Sequence, residues 1–178
     1  MKDNRLTFRN YRGRSDDGPL AAIAAAVTHE PYSAEKIAYD LSVPGINQTK
    51  DITICEVDGN VIGFARIAVD NVKDVRQGRL DSRIPTDVPH EPEIAREFLL
   101  WAARRMQDEI SEGGRPVTIV ELVKEEDLAR REFLEDAGFL AIRYYKVMLL
   151  NDVAALRELP LPSGHSYIHG AGTQGAAE

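Results

Sequence analysis

Apolar residues along this chain change their period several times, and each change marks an element. Leu6-Thr7-Phe8-Arg9-Asn10-Tyr11 alternates as a strand does, and residues 13–19 follow with turn and helix-start types such as Gly13 and Pro19. Over residues 20–27, Leu20, Ile23, Ala24 and Val27 share one helical stripe, rich enough in alanine for close packing, with Pro31 as the stop. Ser33 can cap a next helix whose apolar face is Ile37, Ala38 and Leu41, before Pro44-Gly45 ends it. Strand-forming runs return at 52–57 and 61–69, separated by Asp58-Gly59-Asn60, a pairing that favours a tight reversal and predicts a hairpin. From 70 to 91 polarity rises and prolines interrupt, so the pattern predicts a weak short strand over 79–84 and otherwise a loop.

The strongest period comes next. Ile94, Phe98, Ala102, Met106 and Ile110 recur every four residues, with Ala95, Leu99 and Ala103 beside them, which is a long amphipathic helix. Pro92 suits its first turn and Gly113-Gly114 its end. Residues 116–123 form a short β-branched run expected to be a buried strand, reached by a crossover from that helix. Asp127 can cap a further helix through Ala137, Gly138 offers a left-handed stop, and 139–150 reads as a closing strand. The order is mixed α/β throughout.

Composition narrows the class. With 178 residues and 43% hydrophobic content the chain can bury one core. No apolar run approaches the roughly 18 to 20 residues a bilayer crossing needs, and Met1 to Arg5 leads into no apolar signal block, so a soluble, cytoplasmic protein with no membrane partner is expected. Cys55 is the only cysteine, which excludes an internal disulfide and a tetrathiolate site and points to a buried, inert thiol. A net charge of -7 argues against nucleic acid unless basic residues gather on one face; only Arg104-Arg105 and Arg130-Arg131 cluster, both in helical stretches. His165 and His169 stand four apart, but Gly164 and Gly170 oppose a helix there and no third ligand is evident, so no metal is expected.

Three stretches carry a family resemblance. Glu56-Val57-Asp58-Gly59-Asn60-Val61-Ile62-Gly63-Phe64 is similar to the central hairpin of the GNAT acyltransferases, and Ile94-Ala95-Arg96-Glu97-Phe98-Leu99-Leu100-Trp101-Ala102 to the long helix after their pyrophosphate loop. Residues 129–139, ending in Gly138-Phe139, resemble the family's late helix, followed by Arg143-Tyr144-Tyr145-Lys146-Val147-Met148 as its closing strand. The resemblance spans about residues 6–150. It implies an α/β fold with a central mixed, mostly antiparallel sheet flanked by helices. It also implies transfer of an acetyl group from acetyl-CoA to a primary amine, borne by a small molecule or a peptide.

Two positions depart from the family pattern. Its loop reads Arg/Gln-x-x-Gly-x-Gly/Ala, which leaves bare amides for the CoA pyrophosphate; the matching residues here are His90-Glu91-Pro92-Glu93-Ile94-Ala95. Ile94, Ala95 and Arg96 are what the resemblance leaves as cofactor-binding candidates. Leu134 stands where many members place a proton-donating tyrosine, so no catalytic residue is assigned. Phe133-Leu134-Glu135 before Gly-Phe resembles one half of the tandem GNAT proteins of the mycothiol synthase type. On that basis residues 1–158 form one GNAT-like domain, and 159–178 a linker or tail, or the start of a second copy that 165–170 faintly echoes. Two expectations stay open: an N-acetyltransferase with a degenerate loop, or a catalytically silent half serving as a structural, dimerisation or ligand-binding module beside a second domain or a second copy of the chain.

Other residues carry paired readings. His90, Glu91 and Glu93 are either an acid/base or ligand cluster, or a helix start whose carboxylates favour the dipole. His29 beside Glu30 is a base or a helix cap. Tyr144 and Tyr145 alternate faces of a strand, one inward and one outward, and either line an acceptor cleft or pack in the core. Trp101, just off the main stripe, marks a partner surface or ordinary packing.

Overall fold

The computed structural model describes residues 5–142. In chain order the elements are β1 (Leu6–Asn10), α1 (Arg14–Thr28), α2 (Ala34–Asp40), β2 (Ile52–Val57), β3 (Asn60–Val72), β4 (Val75–Arg83), α3 (Glu91–Gly113), β5 (Val117–Glu121) and α4 (Leu128–Asp136). The chain divides into two compact units, Met1–Arg131 and Glu132–Glu178.

Two tight reversals build the sheet of the first unit. Asp58 and Gly59 hold positive φ of 50° and 81°, the condition for a two-residue hairpin turn that matches strand twist, and they bring β3 back along β2. Lys73, at φ 56°, and Asp74 make the second reversal, closed by the Val72/Val75 pair. The sheet runs in the order β1-β2-β3-β4-β5, antiparallel except for the parallel β4/β5 pair that α3 connects. The fold is thus mixed α/β with a mostly antiparallel sheet, as the resemblance implied.

Alternation along the strands sorts side chains onto two cores. On one face Cys55, Ala65, Ile67 and Leu80 meet Ile94, Phe98, Ala102 and Met106 of α3, and Phe8 adds an edge-to-face contact with Phe98 at 5.8 Å. On the other face Ile52, Ile54 and Phe64 meet Leu20, Ala21 and Ala24 of α1 with Ile37 and Leu41 near α2. Gly78 lets α3 approach: a Cβ there would stand 2.6 Å from both Ile67 Cδ1 and Met106 Sδ.

Four expectations change. Helix α1 begins at Arg14, six residues before the apolar stripe, because the buried Asp16 carboxylate accepts the Arg12 N–H and pairs with Arg9 while Asp17 joins it in the first turn. Pro19 therefore lies inside the helix. Strand β4 is nine residues, not a short weak one, since its charged residues pair across the sheet: Arg79 with Asp70 and Asp81 with Arg66. Strand β5 is half-buried with Thr118 exposed, rather than buried throughout. Residues 139–142 are not in a strand, and the rest of that expected element lies outside the described residues.

The described part of the second unit is the end of α4 and the turn after it. Gly138 takes φ 90°, and its N–H donates to the Glu135 carbonyl while the Phe139 N–H donates to Leu134.

Candidate functional site

The parallel pair sets the site. The Arg76 N–H donates to the Pro116 carbonyl, so Arg76 faces β5, and every second residue of β4 does the same: Gly78, Leu80 and Ser82. Pairing stops at Leu80/Glu121, yet β4 continues to Arg83. The Ser82 N–H is thus aimed past the last pair, at the open end of the β4/β5 ladder.

Side chains at this open end form a network. Arg130 donates to both Glu121 carboxylate oxygens and to the Ser82 hydroxyl, each at 2.8 Å. Burial pushes the Glu121 carboxyl above its ordinary value, and Arg130 opposes that shift without cancelling it. On the opposite face of β4, Arg83 lies over the rings of Tyr32 and Phe64 at 5.1 and 5.8 Å and reaches Asp81 at 3.3 Å. Asp81 also pairs with Arg66 at 2.9 Å, and Arg66 donates to the Asp40 carbonyl. The Tyr32 hydroxyl and Lys36 both engage the Asp40 carboxylate.

The head of α3 is the second part. His90 takes a left-handed φ of 69° at the N-cap without a side-chain cap bond, and its carbonyl accepts the Ile94 N–H. Pro92 has no N–H to give, so the first turn offers an anion no more than the Glu91 and Glu93 amides. Both carboxylates are exposed there, and His90 Nδ1 lies 2.9 Å from Glu93. Of the three cofactor-binding candidates, Ile94 and Ala95 turn their side chains into the core and Arg96 is exposed.

The remaining candidates separate. His29 is the left-handed C-cap of α1, its N–H on the Ala25 carbonyl. Trp101 is half-buried against the α3 core. Cys55 is fully buried and its thiol is pushed up to about 12, chiefly by that burial, so it is inert near neutrality. Arg105 and Arg130 are each held by carboxylates rather than gathered on a basic face. Tyr144, Tyr145, His165 and His169 lie outside the described residues. Among the described residues there is no group of three or more His, Cys, Asp and Glu placed to hold a metal, and no helix long and apolar enough to cross a membrane.

Comparison with solved structures places the fold. A GCN5-related N-acetyltransferase from Sphaerobacter thermophilus is similar at TM-score 0.63 and 18% identity, over 77% of this chain and 44% of that one. An aminoglycoside N-acetyltransferase, AAC(6')-Iy in complex with CoA, is similar at 0.56 and 12% identity, over 83% of this chain and 95% of that one. The fold is that of the GNAT N-acetyltransferases. A protein from Bacillus halodurans described as a transcriptional regulator also shares it, at 0.63 and 13% identity over 82% of this chain and all of that one, so the GNAT fold alone does not fix an activity. This chain spans less than half the length of the Sphaerobacter protein. No protein-family profile and no curated protein matches the sequence.

Seen as a GNAT fold, the site residues that sequence reasoning missed are Ser82, Arg83, Glu121 and Arg130. A glutamate inside the apolar run 116–123 was the one signal available for any of them. Leu134, at the position many GNAT enzymes give to tyrosine, is buried.

Proposed function

We propose that this chain is an N-acetyltransferase domain that moves the acetyl group of acetyl-CoA to a primary amine, with a degenerate cradle for the CoA pyrophosphate. The observation that carries this reading is the Ser82 N–H, aimed past the last β4/β5 pair at the open end of the ladder. A neutral amine attacks the thioester carbonyl, the N–C bond forms, and the charge that grows on the carbonyl oxygen suits a fixed main-chain donor at that place. The C–S bond then breaks, the amine loses its proton to water or a base, and the thiolate takes one up. Leu134 cannot supply it, so solvent is the donor in this reading.

Acetyl-CoA fits the two halves of the site unequally. The β4 end offers a donor, whereas the head of α3 offers two amides flanked by Glu91 and Glu93, with the exposed Arg96 as the nearest cation on the helix for the phosphates. Those carboxylates, together with Arg130 and Glu121 at the end of the β4/β5 ladder, favour a second reading: a silent GNAT-like half that packs against another domain or another copy of the chain.

Titration of the full chain with acetyl-CoA separates the two. Binding raises Tm by linkage, about 2.7 kcal/mol of stabilisation at a hundred times Kd. A shift accompanied by thiol release in the presence of an amine panel supports transfer. No shift at roughly millimolar acetyl-CoA leaves the silent half.

A further inference from the structure

Two arginines of the first unit, Arg83 and Arg105, each leave a buried Nη1 without a hydrogen-bond partner among the described residues, but Arg105 is held by two carboxylates, Asp51 and Glu109, and Arg83 by Asp81 alone. The Arg83 side chain is only 14% exposed. An unpaired buried donor of a charged group is costly, and native structures keep few of them. Charge is also out of balance here. Lys36, Arg66 and Arg83 supply three positive charges, while Asp40 and Asp81 supply two negative ones, so the cluster carries one positive charge in excess.

We infer that the acceptor amine carries a carboxylate, and that Arg83 takes this carboxylate between Tyr32 and Phe64; the inference rests on the acyl-transfer reading. Three features select the class. One surplus positive charge matches a single carboxylate, whereas a phosphate dianion would over-neutralise a cluster that already holds Asp40 and Asp81. Stacking on two ring faces leaves the planar guanidinium its edge, the side that recognises a carboxylate. Arg83 directly follows Ser82 at the end of β4, so its guanidinium lies at the same strand end as the Ser82 amide, on the face of the sheet that α1 and α2 cover. Tyr32 is the wall that belongs to the connection between α1 and α2.

The test uses the full chain and needs no turnover. N-acetylglycine and N-acetyl-L-leucine, each against its primary amide, are titrated by calorimetry. The acids are expected to bind at least tenfold more tightly than the amides. Arg83→Gln removes that preference, and Arg83→Lys, which keeps the charge and loses the fork, restores only part of it. Equal binding of acid and amide by the wild-type chain overturns the inference, even if Arg83→Gln does not fold; so does a preference that survives in a folded Arg83→Gln. Thiol release from acetyl-CoA is read separately with glycine and glycinamide. Acid-selective binding without any release keeps the Arg83 site and sinks the transfer reading, while equal release with both amines keeps transfer and sinks the site.

Discussion

Buried charge is concentrated on few residues, and around Arg105 and Asp16 it is paired. Arg105, 6% exposed, reaches Asp51 at 2.6 Å, itself 2% exposed, and Glu109 at 2.6 Å, which in turn accepts from Arg76. Burial pushes Glu109 toward the neutral acid, but its hydrogen bonds to Arg76 and Arg105 outweigh that and hold its carboxyl below the usual range. Replacing Arg105 with Met leaves Asp51 and half of Glu109 uncompensated, and urea unfolding at pH 7 should register a loss of about 3–5 kcal/mol. Asp16 works the same way near the start of the chain: burial opposes its charge, while Arg9 and the Arg12 N–H lower its pKa further than burial raises it. A carboxylate with a depressed folded pKa stabilises fully above its unfolded value near ~3.9, and that contribution disappears as pH falls through the folded value. Asp16→Asn should therefore lower Tm at pH 7 and narrow the gap in Tm between pH 7 and pH 3 relative to the parent chain. An unchanged gap would mean that Arg9 is satisfied by Glu56 alone.

Elements were legible where one local signal dominated. The four-residue recurrence from Ile94 to Ile110 gave α3, and Asp58-Gly59 gave the β2/β3 turn, because period and turn chemistry are written within a few neighbours. Strand β4 was hidden because its outer face is charged and its turn uses Lys73 at positive φ instead of a glycine. Its pairing partners on β3 neutralise those charges, which only the register reveals. The head of α3 was legible from Pro92 and the flanking glutamates. The Ser82, Glu121 and Arg130 network was not, since Ser82 lies 39 and 48 residues in sequence from its partners. Gly78 links β4 to α3 in the same non-local way. Gly78→Ala places a Cβ against Ile67 and Met106, and repacking those side chains should cost about 1–3 kcal/mol in urea unfolding. Ile67→Val removes one of the two colliding atoms, so the double variant should lose less stability than the sum of the single ones; strict additivity would place the strain elsewhere.

At the scale of the whole molecule, charge opposes the acetyl-CoA of the proposed reading. The chain carries -7, and the first two turns of α3 present Glu91, Glu93 and Glu97 against Arg96. A cradle lined by cations binds a polyphosphate less well as salt screens the attraction. Here the local field is repulsive, so screening works in the other direction. Acetyl-CoA affinity, followed by calorimetry as potassium chloride rises from about 0.02 to about 0.3 M, should hold or increase. Glu91→Gln with Glu93→Gln should raise affinity at low salt and reverse the slope, because Arg96 then dominates the helix head. The double variant also loses favourable carboxylate–dipole contacts and is expected to melt slightly lower without ligand. Affinity that falls steeply with salt in the unaltered chain would point to phosphate contacts with cations away from the head of α3, and Glu91 and Glu93 would then no longer be the residues that govern CoA binding.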